Sequence, residues 1–167
     1  MRLQSHSAAA GFSLIESTIA AAISALFLSS VFALNISTMD TIRCAKETIG
    51  ASQVLQQRME SLRIANWQEV TNADWVKDNL LNVDALGADP LRNLSETLTL
   101  VPYAGNSVGN TQFTRTRSGT TIVNRNPDLL TENAVKVIWT VNYTGAPNDR
   151  AVTRQLVAIL AKGGVAK

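Results

Sequence analysis

The chain has 167 residues, of which 46% are hydrophobic and 17% charged, and a formal net charge of +2. This composition fits one globular domain with an additional segment and excludes collagen-like, disulfide-rich and fully disordered proteins. Cys44 is the one cysteine, so the chain cannot form an intramolecular disulfide. His6 is the one histidine, so the chain has few side chains that could bind zinc or act as the base of a Ser/His pair. We therefore predict no enzymatic activity, no cofactor and no metal site.

The first element is an uncharged, apolar run over residues 17–36. It has roughly the length that an α-helix needs to cross about 30 Å of hydrocarbon. Residues 1–11 carry Arg2 and no acidic side chain, which favours a cytoplasmic N-terminus and places the rest of the chain outside. Glu16 stands at the start of the run, where an ionised carboxylate in lipid costs about 2.5 kcal/mol or more. This carboxylate therefore requires a partner or a specific role.

The six residues from Gly11 to Glu16, GFSLIE, precede the uncharged helix and resemble the processing signal of type IV prepilins and type II secretion pseudopilins. The resemblance implies cleavage after Gly11 by a prepilin peptidase and methylation of the new amine of Phe12. It implies a single-pass protein of the bacterial inner membrane that later joins a pilus or a periplasmic pseudopilus. The implied partners are other pilin or pseudopilin subunits, the peptidase and the inner-membrane assembly platform. Glu16 would meet the positive amino terminus of a neighbouring subunit, because a buried carboxylate needs a cation.

The helical pattern continues beyond the apolar run, and no proline occurs between Phe12 and Trp67. Apolar residues recur on one helix face, and the opposite face is polar. The apolar stripe comprises Ile36, Met39, Ile42, Ala45, Ile49, Leu55, Met59, Leu62 and Ala65, and the polar face comprises Asp40, Arg43, Lys46, Glu47, Gln53, Gln57, Arg58 and Glu60. We predict four segments. They are a leader at 1–11, a membrane or filament-core helix at 12–36, an amphipathic half at 37–66 and a C-terminal region at 67–167.

The C-terminal region begins with a polar connector over 66–90, for which we predict a loop with one short helical turn. Five alternating or β-branched runs then predict strands at 94–101, 111–116, 120–124, 135–143 and 152–160. We expect an antiparallel meander. Alternation in the fourth run directs one set of side chains toward the helix stripe, namely Val135, Val137, Trp139, Val141 and Tyr143. The predicted fold class is α+β, a long N-terminal helix packed on a small C-terminal antiparallel sheet, which the resemblance also implies.

The closing strands resemble those of minor pilins and minor pseudopilins, through Val137-Ile138-Trp139 followed by Arg154-Gln155-Leu156-Val157 and Gly163-Gly164. Two departures from major type IV pilins argue against a major, surface-adhesive pilin. The membrane half contains no proline, and no cysteine pair closes a C-terminal loop. Arg115 and Arg117 share a strand face near Arg125 and could contact DNA phosphates, as in a competence pilin. A solvated strand face is the simpler interpretation, because no aromatic side chain lies between them.

Two other interpretations remain open. The sequence Val31-Phe32-Ala33 has the pattern of a signal-peptidase site, so cleavage after Ala33 would release a soluble binding domain. Alternatively, an uncleaved helix would anchor an enzyme that uses carboxylates such as Asp128 and Glu132. The three interpretations differ in where the mature chain begins: at Phe12, after Ala33 or at Met1.

Overall fold

The computed structural model describes residues 13–103 and 109–163. Contacts divide the chain into a first unit that ends at Thr41 and a second unit that begins at Ile42. Helix α1, Leu14–Ile64, begins in the first unit and ends in the second. The described part of the predicted long helix is therefore confirmed.

The connector after α1 is more helical than its polar composition predicts. It contains α2 at Trp67–Thr71, α3 at Ala73–Trp75 and a π-helix at Val76–Leu81. The Oδ1 atom of Asn72 accepts hydrogen bonds from Asp74 N at 3.0 Å and Trp75 N at 3.2 Å, which caps the start of α3. The prediction of one helical turn was wrong because apolar side chains of the π-helix are buried, and this packing stabilises helices that are too short to form alone.

The strands are β1 at Arg92–Pro102, β2 at Thr111–Thr116, β3 at Gly119–Asn124, β4 at Ala134–Gly145 and β5 at Arg150–Ala161. All five predicted strands are confirmed, with shifts of at most two residues at either end. Neighbouring strands are antiparallel, in the order β3-β2-β1-β4-β5.

The predicted meander was wrong in one connection. After β3 the chain passes through a 3-10 helix, Pro127–Thr131, and β4 then pairs with β1. This pairing places Leu98 opposite Trp139 and Leu100 opposite Val137. The largest apolar side chains of the two strands thus meet at the centre of the sheet, a choice of neighbour that alternation within each strand does not specify.

The core lies between one face of the sheet and the part of α1 in the second unit. The predicted alternation in β4 is confirmed, since all five inward side chains are buried. The apolar residues that α1 contributes are Ala51, Val54, Leu55, Met59 and Leu62. This packing of helix on sheet is the predicted α+β fold.

The predicted apolar stripe of α1 is wrong over its middle turns. Glu47 and Arg58, expected on the polar face, are only 3% and 2% exposed, whereas Ile42 and Ile49 are 47% and 57% exposed. Ala51, which lies outside the predicted stripe, is fully buried. The sheet covers a different arc of the helix because Glu47 and Arg58 find hydrogen-bond partners on that side.

Gly50 allows the loop before β1 to lie directly against α1. A Cβ atom at this position would lie 2.5 Å from Gly87 O and 2.9 Å from Pro90 Cγ. Gly87 has a φ of 85°, a backbone conformation that favours glycine. The two glycines therefore permit a close approach that larger residues would prevent.

Candidate functional site

Of the three predicted processing and assembly residues, Gly11 and Phe12 lie outside the described residues. Glu16 lies in the first turn of α1 with its side chain exposed. Its backbone N–H donates to Ser13 Oγ at 3.3 Å, and the Ser17 N–H donates to Ser13 O at 3.1 Å. Ser13 therefore caps α1.

Glu16 takes part in this cap through its backbone N–H, a local role that the sequence analysis missed. Glu16 follows Ser13 by three residues, the spacing of a capping box. A carboxylate in the first turn is also stabilised by the helix dipole. The Ser-x-x-Glu pattern was the available signal.

The described part of the first unit exposes its large apolar side chains. Its most apolar window of 18 residues has a mean hydropathy of 2.1, and none of that window is buried. Leu26, Phe27 and Phe32 are 70%, 68% and 65% exposed. The predicted apolar helix is long and apolar enough to cross a membrane. A continuous surface of this kind marks a contact with a membrane or with another protein.

Most hydroxyl groups in this part of α1 donate hydrogen bonds inside the helix. Each of several side chains donates to the carbonyl oxygen four residues earlier, at 2.8–2.9 Å, namely Thr18, Ser29, Ser30 and Thr38. These donors need no water, so they lower the cost of an apolar environment around the helix.

A cluster of charged side chains, formed by Arg58, Glu96 and Arg115, is largely buried where α1 packs on β1 and β2. Arg58 and Glu96 form two hydrogen bonds, Nε to Oε2 at 3.1 Å and Nη2 to Oε1 at 3.2 Å, and are 2% and 1% exposed. Arg115 bridges Glu96 to Asp84 through Nη1–Oε1 and Nη2–Oδ1 contacts of 2.7 Å each. Asp84 is 99% exposed, so the buried charges are those of two guanidinium groups and one carboxylate, and the hydrogen bonds that Arg58 and Arg115 form offset part of the cost of burial.

Arg58 also attaches the connector to this cluster. Its Nη1 group donates to the carbonyl oxygen of Leu80, and its Nη2 group donates to Val83 O at 2.8 Å. Buried polar groups require such partners. Arg58 therefore couples α1, the π-helix and the sheet, and the geometry is that of a structural cluster.

Glu47 attaches α1 to the turn between β4 and β5. Its Oε2 atom accepts a hydrogen bond from Ala146 N at 2.8 Å. Gly145 leaves the carboxylate room, since a Cβ there would lie 3.2 Å from Glu47 Oε2. No sequence signal identified Glu47, because its partner is a backbone group distant in the chain.

Two of the three arginines considered for DNA contact are paired with carboxylates. Arg115 belongs to the buried cluster, and Arg125 donates to both carboxylate oxygens of Asp74 at 2.9 and 2.7 Å. The hydrogen bonds from Arg125 lower the pKa of Asp74, and the same pair raises the pKa of Arg125. Arg117 is exposed and forms no ion pair with the residues that the structure describes.

A cleft of about 320 Å³ lies beside the buried cluster, with Asp84, Asp89, Arg115 and Arg117 in its wall. Within residues 13–103 and 109–163, no group of three His, Cys, Asp or Glu side chains could hold a metal ion. The cleft thus carries both signs of charge.

Cys44 is half-buried on α1. Arg150 Nη2 donates a hydrogen bond to the Cys44 sulfur at 3.7 Å.

No protein-family model matches the chain, and no curated protein and no solved structure is significantly similar to it. Function is therefore inferred from the residues and their geometry.

Proposed function

We propose that this protein is a structural subunit of a type IV pilus or type II secretion pseudopilus, most similar to a minor subunit. Residues 1–11 are a leader that prepilin peptidase removes, and Phe12 becomes the methylated N-terminus. Helix α1 holds the protein in the bacterial inner membrane and then packs in the filament. Other subunits, the peptidase and the assembly platform are its partners.

The observation that carries the proposal is the change in surroundings along α1. Between Leu14 and Thr41 the helix exposes apolar side chains and satisfies most of its own hydroxyl groups. From Ile42 it belongs to a folded unit with its own core. A helix of this kind suits residence first in lipid and then among the helices of other subunits.

The state of Glu16 also supports the proposal. Its carboxylate is exposed and forms no ion pair with any of the described residues. It therefore remains available for the amino terminus of a neighbouring subunit. In an apolar filament core, pairing would be required because an isolated carboxylate is costly to bury.

Cleavage after Ala33 fits the structure less well. Ala33 lies within α1, with helical residues on both sides. Removal of the preceding residues would discard the capped helix start and Glu16. It would also leave the exposed apolar residues Leu34 and Ile36 at the start of a released protein.

The test is the intact mass and N-terminal peptide of the native protein from membrane, medium and sheared-filament fractions. The expected peptide begins at Phe12 and is heavier by one methyl group. Gly11→Val is the matched control, because a bulky side chain should block the peptidase and leave the leader attached. A chain that begins after Ala33, or at Met1, would overturn the proposal.

The role of Glu16 is tested by variants that separate charge from helix capping. We expect Glu16→Ala and Glu16→Gln to be processed but absent from filaments, because both remove the charge. Ser13→Ala removes the cap but keeps the charge, so it should still be incorporated. The measurement is the amount of each mature variant in sheared filaments relative to the membrane fraction. Wild-type levels of Glu16→Ala in filaments would contradict the assignment.

A further inference from the structure

Strand β5 has a free edge along its whole length. All twelve residues pair with β4, and no described strand pairs with the other edge. Within residues 13–103 and 109–163, the outer row of backbone N–H and C=O groups of β5 therefore has no strand partner. An edge strand of this length is a template for a further strand.

The opposite edge of the sheet, at β3, is better protected. Strand β3 has only six residues, and short edges resist unwanted pairing. The Arg125–Asp74 ion pair joins the chain just after β3 to α3. The two edges of the sheet thus differ, and only β5 is long and uncovered.

The side chains of β5 also favour a partner. Val157 and Ile159 are 49% and 53% exposed, while Leu156, Ala158 and Leu160 are only half-buried on the core face. Residues 155–161 contain no charge, proline or glycine. Uncharged, β-prone segments of this kind pair readily with other strands.

The charged side chains of β5 itself, and of the residue that follows it, are all positive. Arg150 and Arg154 precede it, Lys162 follows it, and no acidic residue lies within 150–163. Arg154 and Lys162 form no ion pair with described residues. A second copy of β5 would bring only further positive charge to this edge. Self-pairing is therefore disfavoured, and an acidic partner is complementary.

We propose that the free edge of β5 binds an extended segment of a partner protein as a sixth strand. The segment is apolar and uncharged in its middle and acidic at its ends. Backbone hydrogen bonds supply affinity, and the cations at Arg150, Arg154 and Lys162 select the acidic ends. This site lies in the second unit and does not depend on filament assembly by α1.

The test uses the full chain, isotopically labelled, in detergent micelles. The probe is a synthetic peptide of alternating Val and Thr flanked by Glu, and the control peptide carries Lys in place of Glu. We expect the Glu-flanked peptide to bind about tenfold more tightly at low salt, from a few exposed charge pairs, and to slow amide exchange at alternate residues of β5. Added salt should reduce the difference.

Reversing the charges at Arg154 and Lys162 tests whether these two side chains select the acidic ends of the peptide. Arg154→Glu combined with Lys162→Glu should invert the preference between the two peptides. Arg117 is also exposed and lies in the turn after β2, so Arg117→Glu should leave the preference unchanged. Equal binding of both peptides to the wild-type chain, protection at β3 in place of β5, or self-association through β5 would each overturn the proposal.

Discussion

The two parts of α1 differ in which side chains they bury: the first part exposes apolar side chains, and the second part buries charged ones. In the first unit, apolar side chains such as Leu26 and Phe32 are exposed. In the second unit, the charged residues Glu47 and Arg58 are buried while Ile49 remains 57% exposed. The hydropathy of a residue in α1 therefore does not by itself predict whether its side chain is buried.

The difference shows what hydropathy can predict. The first part is apolar over most of its length, so its average composition is enough to predict a helix that could cross a membrane. The second part meets a particular sheet and connector, where a charged side chain with complete hydrogen bonding is accepted. Burial in the second unit is decided by individual partners.

Loss of Arg58 should have the largest effect on the second unit. Arg58→Ala leaves Glu96 buried with fewer partners, and we expect a loss of about 3–5 kcal/mol in the free energy of unfolding. The measurement is denaturant unfolding of the full chain in micelles, followed by tryptophan fluorescence. Arg117→Ala is the control and should change the value by about 0.5 kcal/mol or less. Equal effects of the two variants would show that the buried cluster is not important for stability.

A pair of leucines tests the comparison directly. Leu98 is fully buried, whereas Leu26 is 70% exposed. Leu98→Ala should reduce the free energy of unfolding of the second unit by about 2–5 kcal/mol, through lost burial and a cavity. Leu26→Ala should leave that value unchanged and weaken partition of the chain into vesicles. Destabilisation of the second unit by Leu26→Ala would contradict the distinction between the two units.

Gly50 tests the close approach to the loop before β1. Alanine normally stabilises a helix by about 1 kcal/mol relative to glycine. Because a Cβ at Gly50 would lie 2.5 Å from Gly87 O, we expect Gly50→Ala to destabilise by about 1–3 kcal/mol instead. Ser52→Ala, on the exposed face of α1, is the control and should be nearly neutral. Stabilisation by Gly50→Ala would mean that the loop moves aside freely.

The exposed Asp74–Arg125 pair should have the smallest effect, with a defined pH dependence. Arg125 lowers the pKa of Asp74 below its ordinary value of 3.8. The pair therefore stabilises the folded state above that value and loses this contribution as the pH falls through the lower folded pKa. Thermal unfolding of wild type and Asp74→Asn should differ slightly at neutral pH and converge in acid. A difference that grows in acid would contradict the assigned sign.

The strands could be predicted because the alternation of apolar and polar residues within a strand shows which of its side chains are buried. In β4, alternate residues such as Val137 and Trp139 are buried, and this alternation is visible without knowledge of any partner. The order of strands was not predictable in this way. Pairing of β4 with β1 depends on which apolar faces fit together over α1, which no single strand specifies.

The candidate functional residues also differ in whether their partners are close in the chain or distant in it. The motif around Glu16 is local, and so is the Ser13 cap that the structure adds to it. Glu47 and Arg58 were assigned to a polar face because their side chains are charged. Their partners, Ala146 and Glu96, lie far away in the chain, and only folding brings them together.

By itself, the sequence determined a long N-terminal helix, its apolar half, five strands and the alternation of their faces. These features follow from side-chain periodicity and from the absence of proline, which act over a few residues. Only the tertiary structure decided the arc of α1 that is buried, the pairing of β1 with β4 and the free edge of β5. Those outcomes depend on hydrogen bonds and packing between distant residues, which are set by the whole fold.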